Sequence, residues 1–377
     1  RKAHHAMSNG ELKLTTKPVR IAIIGAGAVS DYHHVPGIEL DPRAQLVAVC
    51  DTDVDLVATR QEQWGVEKGA LEAAEIVEDS EIDAVIIATP NFTHRPIAIS
   101  AAEAGKHVVI EKPIANSPAE MRAMQRAVKK AKVRTIVSFV LRWNPLFETL
   151  KSMMAEDTIG DVYYLETDYQ HDIASWWTGW DEARKKRTGV SAFITGGCHA
   201  IDALRWFAGK GEFEAATPVE VFAYSGGFRK GLKKEFDYIA NKWVDGLPLE
   251  YDDLEVALVK FSNGAVGKVS VNYGCIMPYT FPLEVFGNKG TIKDNKVWSH
   301  KYPGQNSWVE IPSILPDSAD VSHHPFQGQM DHFVECIQKR KESHANLDDA
   351  IITHEVAFAA LECYKTKKPV KLPLRKR

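Results

Sequence analysis

The sequence predicts an α/β protein. A Rossmann-type, doubly wound parallel sheet is followed by an α+β domain with a large, mostly antiparallel, open-faced sheet. Three observations carry this reading. Short apolar runs alternate with helical segments over residues 19–141. A glycine loop, Gly25-Ala26-Gly27-Ala28-Val29-Ser30, directly follows the first run. After Arg142 the strands lengthen and alternate apolar with polar residues, as strands with one solvated face do.

The elements follow in order. Residues 1–18 are polar and aperiodic and read as a tail or a cloning remnant, so His4-His5 is set aside as a metal ligand. The strands expected in the dinucleotide-binding domain, 19–141, are Arg20–Ile24, Ala44–Cys50, Ala84–Thr89, His107–Ile110 and Arg134–Val140. Each is short and rich in β-branched residues, as strands buried on both faces are. Helical spacing appears over Leu71–Val77 and Ile97–Ala104. Ser117-Pro118-Ala119-Glu120 starts a helix through Lys132, with a Ser cap, Pro at the first helical position and Glu at the third. Residues 142–377 form the expected substrate and oligomerisation domain. Its strands are Asp161–Gln170, Val219–Tyr224, Leu254–Phe261, Val266–Tyr273 and Pro282–Phe286. Ser262-Asn263-Gly264 and Asn288-Lys289-Gly290 mark tight turns. Helices over Gln327–Lys341 and Leu347–Thr366 close the chain.

Composition narrows the function. At 377 residues the chain has room for two domains. A formal charge of −4 carries no nucleic-acid footprint, and the basic end, Lys365–Arg377, reads as a solvated tail. No apolar stretch reaches membrane length, so no membrane partner is expected. The five cysteines are odd in number and far apart, without a C-x-x-C. This argues against a disulfide scaffold and a zinc site and for a reducing, cytoplasmic location. A removed export signal stays open.

The glycine loop lets backbone amides approach a pyrophosphate, and the helix behind it favours the anion. Gly25, Gly27, Ala28 and Val29 are therefore expected to hold a dinucleotide. Ser30 departs from the usual Gly or Ala. Asp51, ending the second strand, suits the ribose hydroxyls and would repel a 2′-phosphate, which favours NAD over NADP. Thr89, Pro90, Asn91 and His94 end a strand that should line the ligand crevice; His94 reads equally well as a helix cap. Glu111-Lys112-Pro113 follows the next strand. A lysine there, beside a nicotinamide, has the chemistry to exchange a proton with a substrate hydroxyl.

Together, Gly25-x-Gly27, Thr89-Pro90-Asn91-x-x-His94, Glu111-Lys112-Pro113, Arg142-Trp143-Asn144-Pro145 and His199-x-x-Asp202 resemble the glucose–fructose oxidoreductase/inositol dehydrogenase (Gfo/Idh/MocA) family. The likeness runs from Val19 to about Leu374. It implies a nicotinamide cofactor, sugar or cyclitol substrates, and homodimers or homotetramers assembled through the sheet face. It implies a cis bond before Pro113, cofactor contacts from Glu111 and Lys112, and catalysis by Lys112 and His199 at the reacting oxygen. Asp202, one turn beyond His199, would orient the imidazole, position substrate or cap the helix. Many inositol-dehydrogenase-like members carry Asp four residues before this His; here it is Thr195, so that dyad is incomplete.

The pocket should draw on Tyr169, His171, Trp176 and Trp177, with Asp172 and Trp180 nearby, because aromatic faces and short polar groups read sugar rings. Arg142, Tyr273, Tyr279, His323 and His324 are further candidates. The histidine spacing fits no compact metal motif. Three functions remain in play. The first is an NAD-dependent oxidoreductase acting on a ring hydroxyl of a sugar, glycoside or cyclitol. The second is a redox-neutral glycosidase or lyase with tightly bound NAD. The third is a non-catalytic NAD- and sugar-binding regulator.

Overall fold

The computed structural model describes residues 17–177, 179–237, 240–312 and 326–374. His323, His324 and the first sixteen residues lie outside the described residues. Six parallel strands form the first sheet: β1 (Val19–Ile24), β2 (Ala44–Cys50), β3 (Lys68–Ala70), β4 (Ala84–Ile87), β5 (His107–Ile110) and β6 (Thr135–Val137). Their order is β3-β2-β1-β4-β5-β6. The direction of winding reverses between β1 and β4, which opens a crevice at the strands' C-terminal ends. Ala84 to Ile87 are fully buried, the both-faces-covered state their apolar run predicted.

Helices α1 (Val35–Glu39), α2 (Val54–Trp64), α3 (Ala73–Val77), α4 (Asn91–Glu103) and α5 (Pro118–Ala131) pack on this sheet. The expected cap of α5 is present: Ser117 Oγ accepts from the Glu120 amide at 3.3 Å, a contact class worth about 1 kcal/mol.

The second sheet has nine strands in the order β16-β15-β14-β13-β7-β12-β11-β8-β17. They are β7 (Val162–Gln170), β8 (Pro218–Gly226), β11 (Leu254–Phe261), β12 (Val266–Asn272), β13 (Leu283–Gly287), β14 (Gly290–Lys293), β15 (Lys296–Ser299), β16 (Val309–Glu310) and β17 (Val370–Lys371). Among the described strands of this sheet only β7 and β12 pair in parallel. Strands β9 (Lys234–Asp237) and β10 (Lys242–Asp245) form a separate hairpin. Gly264 makes the β11–β12 turn at φ +92°, a conformation that favours glycine. Helices α6 (Pro145–Ala155), α7 (Trp180–Ala183), α8 (Cys198–Ala208), α9 (Phe326–Gln338) and α10 (Leu347–Thr366) complete the fold.

One face of this sheet packs on α8 and α10. The other carries the exposed Tyr224 and Leu258, with half-buried Phe222 against Tyr224, beside the Lys268–Asp168 pair. The C-terminal region does not stay with this sheet alone. Met330, Phe333 and Val334 of α9 join the first domain's core with Ile21, Ile23 and Ile86. The Val137 amide also bonds Ala345 O at 2.9 Å.

Candidate active site

The glycine loop is built for close approach. Gly25 sits at φ +101°, and a Cβ there would lie 2.6 Å from the Ala88 carbonyl. At Gly27 nothing lies within 4 Å of that position. A helical stretch runs from Ala28 to Glu39, with Ser30–His34 wound in the wider π form. Ser30 has a local job: its hydroxyl donates to Gly25 O at 2.5 Å and closes the loop. Asp51 Oδ2 accepts from the Ala26 amide at 2.8 Å, so the carboxylate stands over the loop. An open glycine, a helix start and a carboxylate at the second strand's end fit a dinucleotide with free ribose hydroxyls.

The strand ends beside it are tied down. His94 is buried, its Nε2 lies 2.8 Å from Thr89 O, and burial lowers its pKa. Thr93 Oγ1 donates to Thr89 Oγ1 at 2.7 Å. Pro90 caps α4. Asn91 reaches across to the second domain, donating to Thr188 O at 2.8 Å. Glu111 accepts from the Lys112 amide at 3.2 Å and meets His34 Nε2 at 2.9 Å. Burial raises the Glu111 pKa, but His34, Lys112 and Ser138 outweigh it and hold the carboxyl below its ordinary value. The Lys112–Pro113 bond is cis.

Lys112 and His199 line one cavity of about 120 Å³. Val29, Glu111, Tyr169, His171, Trp176, Trp177 and Thr195 line it as well. So do Tyr273 and Tyr279. His199, the second residue of α8, is 5% exposed and stacks over Tyr169 with centroids 6.5 Å apart. Tyr169 Oη lies 3.0 Å from His171 Nδ1. Burial pushes the His171 pKa down to about 4, Asp172 opposing and Lys112 adding to the shift, so this ring is neutral at pH 7. Burial raises the phenols of Tyr169 and Tyr273 well above their ordinary value.

Arg142 and Asp202 stand apart from the cavity. Arg142 is 1% exposed and grips Asp202 at 2.7 and 2.6 Å and Asp349 at 2.5 Å. Arg205 holds Asp349 at 2.8 Å, and Thr353 donates to Asp202 at 3.0 Å. These contacts tie α8 to α10 and to the segment before α6. Trp180 is also buried, its indole N–H donating to Leu247 O. Thr195 lines the cavity, but its hydroxyl lies 2.9 Å from both Gly189 O and Ser191 O. Two carbonyls face that position, so a carboxylate in the same place would meet repulsion.

A family model described as the oxidoreductase family, NAD-binding Rossmann fold, matches residues 19–139, and the family's C-terminal domain model matches residues 147–293. The chain belongs to the GFO/IDH/MocA family. It is therefore an oxidoreductase with an NAD-binding Rossmann fold. It is 28% identical to scyllo-inositol 2-dehydrogenase (NAD(+)) of Bacillus subtilis, over 95% of this chain and 97% of that protein. It is 30% identical to levoglucosan dehydrogenase of Pseudarthrobacter phenanthrenivorans, over 66% of this chain and 64% of that one. A solved levoglucosan dehydrogenase in complex with NADH and L-sorbose superposes with a TM-score of 0.80 at 21% identity. That match covers 94% of this chain and 99% of the other and shows the shared fold.

Several residues of the family member's cavity carry weak sequence signals. Ser138 and Val140 follow β6 directly, so the strand-end rule applied to Thr89 would have found them. His33 lies on the helical stretch behind the glycine loop and stacks on Phe326 at 4.8 Å. Phe326 arrives from the start of α9, nearly 300 residues away, and nothing local in the sequence marks it. Among the described residues no helix is long and apolar enough to cross a membrane.

Proposed function

We propose that the protein is an NAD-dependent dehydrogenase of a secondary ring hydroxyl in a sugar, glycoside or cyclitol, or a reductase of the matching ketone. The observation that carries this is the meeting of Lys112 and His199, from different domains, in one aromatic-walled cavity. Oxidation of a secondary alcohol needs a base for the hydroxyl proton and a hydride acceptor. NAD supplies the acceptor when bound, and Gly25, Gly27, Ala28, Val29 and Asp51 would hold it. Lys112 Nζ and the His199 ring exchange the hydroxyl proton. Tyr169, His171, Trp176 and Trp177 bind the ring and exclude water. The pairing of Arg142 with Asp202 supports a scaffolding role for both.

The relatives' names support the substrate class, inositols and an anhydro-sugar. The exposed Tyr224 and Leu258 support assembly through the open sheet face. The test is to denature the purified protein, identify any released nucleotide, and screen sugars, glycosides and cyclitols for NADH formation. Turnover that forms NADH in step with ketone supports the reading. Cleavage of a glycoside without net NADH would replace it with the redox-neutral reading.

A further inference from the structure

The cavity holding Lys112 and His199 has a neighbour. A second cavity of about 820 Å³ adjoins it, and His171, Trp176 and Tyr279 line both. These three rings form the shared wall. His171 stacks on Tyr279 at 4.4 Å and meets Trp176 at 5.5 Å. Across the chamber stands the β9–β10 hairpin, which contributes Phe236 and Val244; Met277 comes from the loop before β13. The hairpin is tied to the opposite side, because Glu235 accepts from the Ser175 amide at 3.1 Å and from its hydroxyl. Phe236 rests against Trp243 with centroids 5.6 Å apart.

The chamber's charge is one-sided. Asp172, Glu235 and Asp237 line it, and among the described lining residues there is no Lys or Arg. Asp172 is answered from behind by Arg229 at 2.6 Å. Apolar rings and methyl groups suit the C–H faces of a sugar or the face of an aromatic aglycone. Carboxylates accept hydrogen bonds from hydroxyls and repel phosphate and carboxylate groups.

We infer that this chamber is a subsite for a second, uncharged ring of the substrate, so that the protein acts on glycosides or disaccharides in preference to free monosaccharides. The inference rests on the dehydrogenase reading above and adds the substrate class to it. The oxidised ring sits by Lys112 and His199. The second ring passes the His171–Trp176–Tyr279 wall and lies between Phe236 and Met277.

The test is a matched set sharing one oxidisable ring: the free sugar, its methyl glycoside, its phenyl glycoside, a neutral disaccharide, and that disaccharide with a uronic acid as second ring. The neutral two-ring compounds should exceed the methyl glycoside in kcat/KM by about tenfold, equivalent to one modest contact surface. The uronic acid should lose that gain. Phenyl against sugar as the better second ring identifies the natural occupant. Phe236→Ala, which empties the chamber, and Val244→Trp, which fills it, should each abolish the gain while methyl glycoside turnover holds. Equal kcat/KM for one- and two-ring compounds, or equal losses on both in the two variants, would overturn the inference. If no compound yields NADH, the dehydrogenase reading fails. The chamber is then judged by calorimetry on the NADH-loaded protein, where equal affinity for one- and two-ring compounds overturns it.

Discussion

Two groups of buried charge flank the start of α8, and they are built differently. In one, Arg142 and Arg205 face Asp202 and Asp349, two guanidiniums against two carboxylates, with contacts of 2.5 to 3.4 Å. Burial raises the Asp349 pKa, yet the two arginines overcome this and hold it well below the carboxylate range. In the other, Glu111 is already engaged by His34 and the backbone, and Lys112 forms no ion pair among the described residues. A matched buried cluster costs several kcal/mol to break because one partner is left uncompensated. Lys112 instead lines the cavity, where it acts on Glu111 through charge rather than through an ion-pair contact. We propose that this contrast separates scaffold from chemistry where residue type alone does not.

The largest effect should come from Lys112→Met. General acid–base groups contribute about 10²–10⁴-fold, so kcat should fall by that order while NADH binding and thermal stability hold. His199→Asn should follow at about 10²-fold under the same rule. A large KM change with kcat intact would instead make either residue a binding group. Arg142→Met should act the other way, lowering stability by about 3–5 kcal/mol in urea unfolding with kcat of the folded fraction little changed. If the variant stays stable but loses substrate affinity, Arg142 belongs to the site and the division drawn above is wrong. Thr195→Asp is expected to cost about 1–3 kcal/mol without raising kcat, because the new carboxylate faces two carbonyls.

A further effect is one of pH. Burial holds His171, His332 and His354 near a pKa of about 4, and His344 near about 3. Unfolded histidines titrate near 6.5, so between that pH and about 4 the unfolded chain binds protons that the native state refuses. Stability should therefore fall as pH drops through this window. Equilibrium urea midpoints at pH 7.5 and 5 check the sign, and an unchanged midpoint would mean these rings are less buried than the fold requires.

Much of the first domain was legible because strand and loop signals there are local. The glycine loop, Asp51 and the Ser117 cap each declare themselves within a few residues. Strand β3 did not, since Lys68-Gly69-Ala70 has no apolar run and is held by edge pairing with β2. The polar β9–β10 hairpin was missed for a similar reason, and with it the wall of the outer chamber. In the second domain the aromatic residues after β7 were readable as a cluster, but which of them face the cavity depends on packing. Trp177 does, while Trp180, three residues on, is spent on the Leu247 carbonyl. In the sequence Arg142 reads as a further pocket candidate, and Asp202 as orienting the imidazole, positioning substrate or capping the helix. Their partnership spans 60 residues of sequence and is visible only in space.

The most direct test measures kcat and the urea midpoint on Lys112→Met and Arg142→Met side by side, using a substrate found in the NADH screen. A crossed result is expected: Lys112→Met loses turnover and keeps its midpoint, and Arg142→Met loses midpoint and keeps turnover. Turnover retained in Lys112→Met, or lost in both variants at unchanged stability, would contradict it.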